Sequence, residues 1–267
     1  MSAAILSAGW WLSGQVRHLV AFVDTNPSRL GFEMMGIEIG LAAFAIAIAF
    51  ALPGPITRRL GLGPGRLPIG AVVALTIGTL GLSHAIDAAL SFTLPRALEG
   101  SVVRGIARGL AGPRGYDLAI SLLGTVIAPA IGEELLCRGL LQRGLVRWIH
   151  PAAAVAIASL AFGWLHHEFV HGAIATCIGA YLGLAAYWSD STRPAIAGHA
   201  ANNFGAMLGS IGLAPMVPLV PGLLGGLALA AAGIVWAGIA KPAQPRGGEF
   251  SLPAERELQP DRGPADA

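Results

Sequence analysis

Long apolar stretches separated by short polar segments dominate the chain from residue 34 to residue 240. A helix needs about 20 mostly apolar residues to cross the hydrocarbon core of a bilayer. Backbone polar groups in lipid must be satisfied internally, and no alternating barrel strands of about ten residues occur. The pattern therefore predicts an all-α fold, a polytopic transmembrane helical bundle. Its seven expected spans, of which the fourth and sixth are short, are 34–52, 68–92, 116–137, 151–166, 169–188, 194–211 and 219–240.

The two ends of the chain differ from the 34–240 bundle. Residues 4–23 are apolar but contain tryptophan and arginine, and no basic stretch precedes them. We interpret 1–33 as an interfacial helix, or as an extra span that would make eight, rather than as a signal peptide. Residues 241–267 are rich in proline, glycine and charge, which predicts a disordered polar tail.

Composition supports a surface covered largely by lipid. Of the 267 residues, 54% are hydrophobic and 12% charged, and the mean hydropathy is +0.66, whereas a soluble domain has about a quarter charged residues. The net charge of +2 comes from scattered arginines, so we expect no nucleic-acid partner. Abundant alanine, glycine and arginine with a single lysine are typical of a GC-rich bacterial genome. We therefore expect a multi-pass protein of a bacterial inner membrane.

The basic residues of the short loops predict an orientation. Arginines between the first two spans, after the third and before the sixth, together with Lys241, fall on one side, which we take as cytoplasmic. Four arginines between the second and third spans fall on the other side. Two of them, Arg104 and Arg108, lie in the stretch SVVRGIARGL, which predicts an amphipathic surface helix.

The richest cluster of ionisable residues, GEELLCR at 132–138, follows an apolar helix directly. An ionisable side chain at mid-membrane costs about 2.5–3.5 kcal/mol on insertion scales, so each one needs a reason. Glu134 and Arg138 are four residues apart with the glutamate first, which is the favourable pairing geometry on a helix. Glu133 lies about 100° round the helix and is left available as a general base. The alternative is a charge cluster at a helix end, with Arg138 reaching the lipid headgroups.

Two further polar clusters lie in apolar segments. His166 ends FGWLH late in the fourth span, where a hydrogen-bonded packing role is the alternative to catalysis. His199 and Asn203 share one helix face and could both donate to one small acceptor, as an oxyanion requires, or could make a polar contact between helices. Together with the glutamate, these groups supply a base, a water-binding group and an oxyanion clamp for amide hydrolysis. The setting implies a membrane-embedded or membrane-anchored peptide or protein substrate.

Isolated polar residues in the first two spans receive simpler interpretations. Glu38, near the start of the first span, is interpreted as a residue of the membrane interface. His84 and Asp87 are three residues apart in the second span and are expected to pair on one face.

The three motifs, in this order, resemble the CPBP family of intramembrane proteases, which includes the type II CAAX prenyl endopeptidases and bacterial Abi-type relatives. The resemblance covers roughly residues 116–210 and implies that an ion pair of Glu134 and Arg138 supports the site. The family's motifs EExxxR, FxxxH and HxxxN read here as Glu133-Glu134…Arg138, Phe162…His166 and His199…Asn203.

The resemblance also implies the roles of the remaining residues. Glu133 and His166 would bind and activate the attacking water, and His199 and Asn203 would stabilise the tetrahedral oxyanion. The family is commonly labelled metalloprotease, yet its chemistry can be written without a metal. Glu133, His166 and His199 could hold zinc or could hold only water, and we expect no catalytic metal.

A competing motif begins one residue after His166. The segment 167–171 (HEFVH) matches HExxH, which on a helix places two zinc-binding histidines on one face with a glutamate base. This motif predicts a site-2-type zinc protease, but no LDG-like third ligand is present and the segment falls at an expected turn. A non-catalytic membrane scaffold or immunity protein stays open. A transporter is disfavoured because no inverted repeat of broken segments is evident.

Overall fold

The computed structural model describes residues 27–213 and 217–241, so the predicted N-terminal interfacial helix at 4–23 and the polar tail after Lys241 lie outside the described residues. Every regular element in the described ranges is helical. Two single turns, Ile56–Arg59 and Pro95–Glu99, connect larger elements. The principal helices are α1 Pro27–Ala51, α2 Ile69–Thr93, α3 Val102–Leu110, α4 Gly115–Val146, α5 Pro151–Trp164, α6 Phe169–Ser189, α7 Arg193–Ser210 and α8 Leu219–Ala240.

Five of these helices, namely α1, α2, α4, α6 and α8, are long and apolar enough to cross a membrane. Helix α5 has 14 residues and is therefore short. Helix α7 has 18 residues, but its histidine, asparagines and Arg193 lower its hydropathy. Each of the seven predicted segments coincides with a helix, so the all-α membrane architecture is confirmed. Length and apolarity alone support five spans rather than seven or eight.

Large apolar side chains project outward from the bundle. Contiguous apolar surface on this scale is unusual for a protein surrounded by water and is what contact with lipid requires. The most exposed of them include Phe50, Ile69, Phe92, Leu160, Phe169, Leu224 and Ile239.

Helix α4 is the central element of the bundle. In its most apolar window 67% of the residues are buried, against 22% in α1 and in α8. It packs along α1, α5 and α7. Its backbone widens into π-helical turns at Leu123–Ile127 and Leu135–Gln142, on either side of the α-helical stretch Ala128–Glu134. Such turns are frequent at functional sites because they redirect the side chains that follow.

Glycines allow α1 and α4 to approach until backbone meets backbone. A Cβ atom added at Gly124 would collide with the carbonyl oxygen of Gly31. One added at Gly132 would lie 2.5 Å from the carbonyl oxygen of Glu38. Small residues at such crossings are a common way for membrane helices to pack, because lipid provides no hydrophobic force between them.

One end of the bundle is fastened by the turn between α6 and α7. Asp190 has φ 51° and its carboxylate pairs with Arg66 at 3.4 Å and with Arg143 at 3.0 Å. The Thr192 hydroxyl donates to the carbonyl of Leu60 at 2.7 Å. Three of the arginine-bearing segments assigned to one side of the membrane thus meet at the same end.

The predicted amphipathic surface helix is α3. The Ser101 hydroxyl accepts from the Arg104 amide and caps its first turn, and Leu110 is buried. Arg104 pairs with Asp87 of α2 at 3.0 Å. The expected pairing of Asp87 with His84 is therefore wrong, because an arginine of the neighbouring helix is its partner.

Neighbouring glycines of α8 provide a test of this packing. A Cβ atom at Gly226 would collide with the Gly81 carbonyl and lie 3.0 Å from the Cβ of Ala85, whereas one at Gly225 meets nothing within 4 Å. We expect Gly226→Ala to lower stability by about 1–3 kcal/mol, because the obstructing atoms belong to backbone. Thermal unfolding in detergent micelles measures the effect. Equal melting temperatures for Gly226→Ala and the control Gly225→Ala would contradict this account of the α2–α8 contact.

Candidate active site

A fully buried ion pair lies at the middle of the bundle. Nη1 of Arg138 donates to Oε1 of Glu134 at 2.9 Å, and both side chains are 0% exposed. Nη2 of Arg138 donates to the Gly179 carbonyl of α6 at 2.8 Å, and the guanidinium carbon lies 4.4 Å from the ring centre of Phe162. The predicted pairing is confirmed, and the alternative of Arg138 reaching the headgroups is wrong, because neighbouring helices enclose the cation.

His199 joins α7 to both glutamates of α4. Its Nδ1 lies 2.9 Å from Oε1 of Glu134, the same oxygen that Arg138 contacts, and its Nε2 lies 3.8 Å from Oε2 of Glu133. An ionised carboxylate can only accept, so this contact assigns the hydrogen to Nδ1. Glu134 therefore orients the imidazole, with its Nε2 edge toward Glu133.

His166 is held by its own helical turn. Its Nδ1 lies 3.0 Å from the carbonyl oxygen of Phe162, and because a carbonyl only accepts, Nδ1 carries the hydrogen and Nε2 keeps its lone pair. The ring of Phe162 lies 5.1 Å from the ring of His166 and 5.7 Å from that of His199, edge to face. Phe162 thus acts as a spacer between the two imidazoles.

Asn203 lies one turn beyond His199 on α7, as the spacing predicted. Its Nδ2 donates to the Thr125 carbonyl at 3.1 Å. Thr125 lies in the π-helical turn Leu123–Ile127, and Pro129, four residues further on, has no N–H with which to donate to that carbonyl. The amide nitrogen has a second hydrogen that this contact does not use. His199 and Asn203 therefore share a face, but no common acceptor lies between them here.

The zinc-type HExxH spacing is not placed on one helix. His167 has φ 52°, and Glu168 is the N-cap of α6, where its two carboxylate oxygens accept from the Val170 and His171 amides at 2.8 Å each. The glutamate is thus occupied as a cap rather than free to act as a base. In residues 27–213 and 217–241, no group of three or more His, Cys, Asp or Glu side chains is arranged to hold a metal ion. The donor atoms, as placed, do not fit zinc.

Glu38 is a member of this region that sequence reasoning missed. It is 3% exposed, its Oε2 has no hydrogen-bond partner, and a Cβ atom at Gly132 would lie 2.9 Å from that oxygen. The expectation of a residue at the membrane interface is wrong. Helix α1 begins at Pro27 rather than at residue 34, so Glu38 lies about 16 Å from the start of the helix. A lone carboxyl within an apolar span was the signal available.

A shallow, largely open apolar groove of about 350 Å³ lies between α4 and α7. None of its lining residues is a candidate catalytic residue. Two of them flank the site residues in sequence, since Ala200 follows His199 and Phe204 follows Asn203. The groove is lined by Leu122, Val126, Ile127, Ala200, Ala201 and Phe204.

Residues 115–205 match the model of a family described as type II CAAX prenyl endopeptidase Rce1-like. The matched segment runs from the start of α4 into α7 and contains the three motifs. The chain is also similar to an uncharacterized transporter of Geobacter sulfurreducens, with 27% identity over 185 residues, or 69% of this chain. The chain spans only 29% of the length of that relative. No solved structure matches this chain significantly.

The buried ion pair generates a stability prediction. We expect Arg138→Met to lower stability by about 3–5 kcal/mol, because it leaves the Glu134 carboxylate buried without its cation. The double variant Glu134→Leu/Arg138→Met should recover much of the loss. Unfolding in detergent micelles checks both variants.

The matched control for this prediction is the ion pair of Arg29 and Glu33 on α1. It has the same four-residue spacing, with an N–O distance of 2.7 Å, but its side chains are 55% and 30% exposed. Arg29→Met should therefore change stability by less than about 1 kcal/mol. A double variant no more stable than Arg138→Met would contradict the assigned role of the buried charge.

Proposed function

Because residues 115–205 of this chain match the model of the type II CAAX prenyl endopeptidase Rce1-like family, we propose that the protein is an intramembrane endopeptidase of the CPBP type. Its substrate is a membrane-embedded or membrane-anchored peptide or protein, cleaved in CAAX-type, C-terminal or leader processing. The observation that supports the proposal is the contact of His199 with both glutamates of α4 beside the buried ion pair. His166 lies on the other side of Phe162, whose ring is 5.1 Å from that of His166 and 5.7 Å from that of His199.

Glu133 and His166 prepare the nucleophile in the proposed reaction. The free Nε2 of His166 accepts one hydrogen bond from a water, and the Glu133 carboxylate removes the other proton. The water oxygen forms a bond to the peptide carbonyl carbon while the π pair moves to the carbonyl oxygen. Glu133 then gives its proton to the leaving nitrogen as the C–N bond breaks.

The oxyanion accepts from Nε2–H of His199 and from the unused amide hydrogen of Asn203. His199 must then carry both ring hydrogens, with Nδ1–H donating to Glu134. Two carboxylates, one guanidinium and one imidazolium sum to zero charge. This balance supports an imidazolium in a site of low dielectric, where an unpaired charge would be costly.

We further propose that the protein is a multi-pass protein of a bacterial inner membrane with seven crossing helices, eight if the N-terminal segment also crosses. Helix α5 spans only about 21 Å against a hydrocarbon core of about 30 Å, so its C-terminal end and His166 lie inside the bilayer or at its edge.

A non-catalytic membrane function is the second candidate. The observation that favours it is the similarity to a protein named as an uncharacterized transporter, although the chain spans 29% of that protein. A transport, scaffold or immunity function would not depend on a general base at Glu133.

Replacement of the base separates the two candidates. We expect Glu133→Gln to lower the cleavage rate by about 10²–10⁴-fold, because the amide keeps the size of the side chain but cannot take a proton. The assay follows cleavage of a prenylated CAAX peptide, and of a peptide with an apolar C-terminal anchor, by mass spectrometry in proteoliposomes. Glu99→Gln, at an exposed ion pair with Arg108, is the control. Full activity of Glu133→Gln would make the proteolytic assignment wrong.

Metal dependence forms a separate prediction. We expect chelation to leave the cleavage rate unchanged and elemental analysis of the purified protein to find no stoichiometric zinc, because no three His, Cys, Asp or Glu side chains of the described residues are arranged to hold a metal ion. His166→Ala and His167→Ala are compared in the same measurements. Zinc lost only from His167→Ala would instead support the site-2-type enzyme.

A further inference from the structure

The carboxyl group of Glu38 stands outside the segment matched by the family model, yet it lies against the proposed site. Helix α1 carries it into the protein interior, where it is 3% exposed and its Oε2 has no hydrogen-bond partner. A buried polar atom left in this state is uncommon and calls for a partner or a function.

The crossing of α1 and α4 brings Glu38 to Glu133. The two helices touch at Gly132, where a Cβ atom would lie 2.5 Å from the Glu38 carbonyl oxygen and 2.9 Å from its Oε2. Glu133 is the next residue along α4, and the two carboxyl groups are close enough to interact electrostatically. The absence of a side chain at Gly132 is what gives Glu38 this access.

Charge balance determines the state of Glu38. In the proposed mechanism Glu133, Glu134, Arg138 and His199 already sum to zero. A carboxylate at Glu38 would be a third buried anion without a matching cation, which is strongly unfavourable. Glu38 is therefore the neutral acid, and a neutral carboxyl has an O–H that needs an acceptor.

We propose that Glu38 is a positioning residue of the active site, a neutral carboxylic acid whose O–H donates to the Glu133 carboxylate, directly or through one water. The hydrogen bond fixes one oxygen of Glu133 and leaves the other aimed at the attacking water. Without it, the carboxylate is free to turn toward His199, 3.8 Å away. This inference rests on the proposed function, since it assigns Glu38 a role in that reaction.

Two substitutions at Glu38 test the hydrogen bond. Glu38→Leu removes the donor, whereas Glu38→Gln keeps an N–H donor without charge. We expect Glu38→Leu to lower kcat on the order of 100-fold, as a misplaced catalytic group does, with KM unchanged because Glu38 does not touch the substrate. Glu38→Gln should recover most of that loss. Equal losses in the two variants, or full activity in Glu38→Leu, would overturn the proposal.

Glu33 of the same helix provides the matched control. Its side chain is 30% exposed and is paired with Arg29. Glu33→Leu and Glu33→Gln should leave kcat and KM as in the unmodified protein. Melting temperatures of all four variants are recorded, and a fall in kcat that simply follows melting temperature would assign Glu38 a packing role instead.

Infrared spectroscopy gives a test that needs no substrate. The unmodified protein in proteoliposomes should show the carbonyl stretch of a protonated carboxylic acid, and Glu38→Gln should lose it while Glu33→Gln keeps it. A band that persists in Glu38→Gln would show that Glu38 is not the neutral acid.

The activity measurements separate this inference from the proposed function. An inactive Glu133→Gln beside a fully active Glu38→Leu would overturn this inference alone, whereas an active Glu133→Gln would remove the proposed function itself.

Discussion

The arrangement of the site depends on the burial of one cation, the guanidinium of Arg138. It contacts Glu134 on its own helix, the Gly179 carbonyl on α6 and the ring of Phe162 on α5. The same carboxylate of Glu134 also contacts the imidazole of His199 on α7. A charge in this interior is tolerated only when its partners are in place, so four helices must dock correctly before it is stabilised. The same requirement fixes the positions of both imidazoles.

The approach of α6 to α4 is made possible by glycines four residues apart. A Cβ atom at Gly179 would lie 2.9 Å from Nη2 of Arg138, and one at Gly183 would lie 2.7 Å from Oε1 of Gln142. Gln142 donates to the Gly183 carbonyl at 2.8 Å, just as Arg138 donates to that of Gly179. At this interface two side chains of α4 thus donate to backbone carbonyls of α6, which suits a membrane interior where no hydrophobic force drives helices together and hydrogen bonds between helices contribute.

The spacing of residues along the sequence predicted the contacts that form within a single helix. It did not predict the contacts that depend on how the helices dock. The pairing of Glu134 with Arg138 follows from four-residue spacing. The depth of Glu38 depends on where α1 begins. The contact from Asn203 to the Thr125 carbonyl joins α7 to α4, and spacing along one helix does not determine how two helices dock. The HExxH match failed for a local reason, because Glu168 caps α6 at the turn.

Of the two adjacent glutamates, only Glu133 can meet a water. Oε1 of Glu134 already contacts both Arg138 and His199, its Oε2 is enclosed, and the side chain is 0% exposed. Glu133 is 13% exposed and faces the Nε2 edge of His199. A base must reach the proton that it removes, and a supporting carboxylate must not exchange its partners for water. The different accessibility of these neighbouring residues therefore suits Glu133 to act as the base and Glu134 to hold Arg138 and His199 in place.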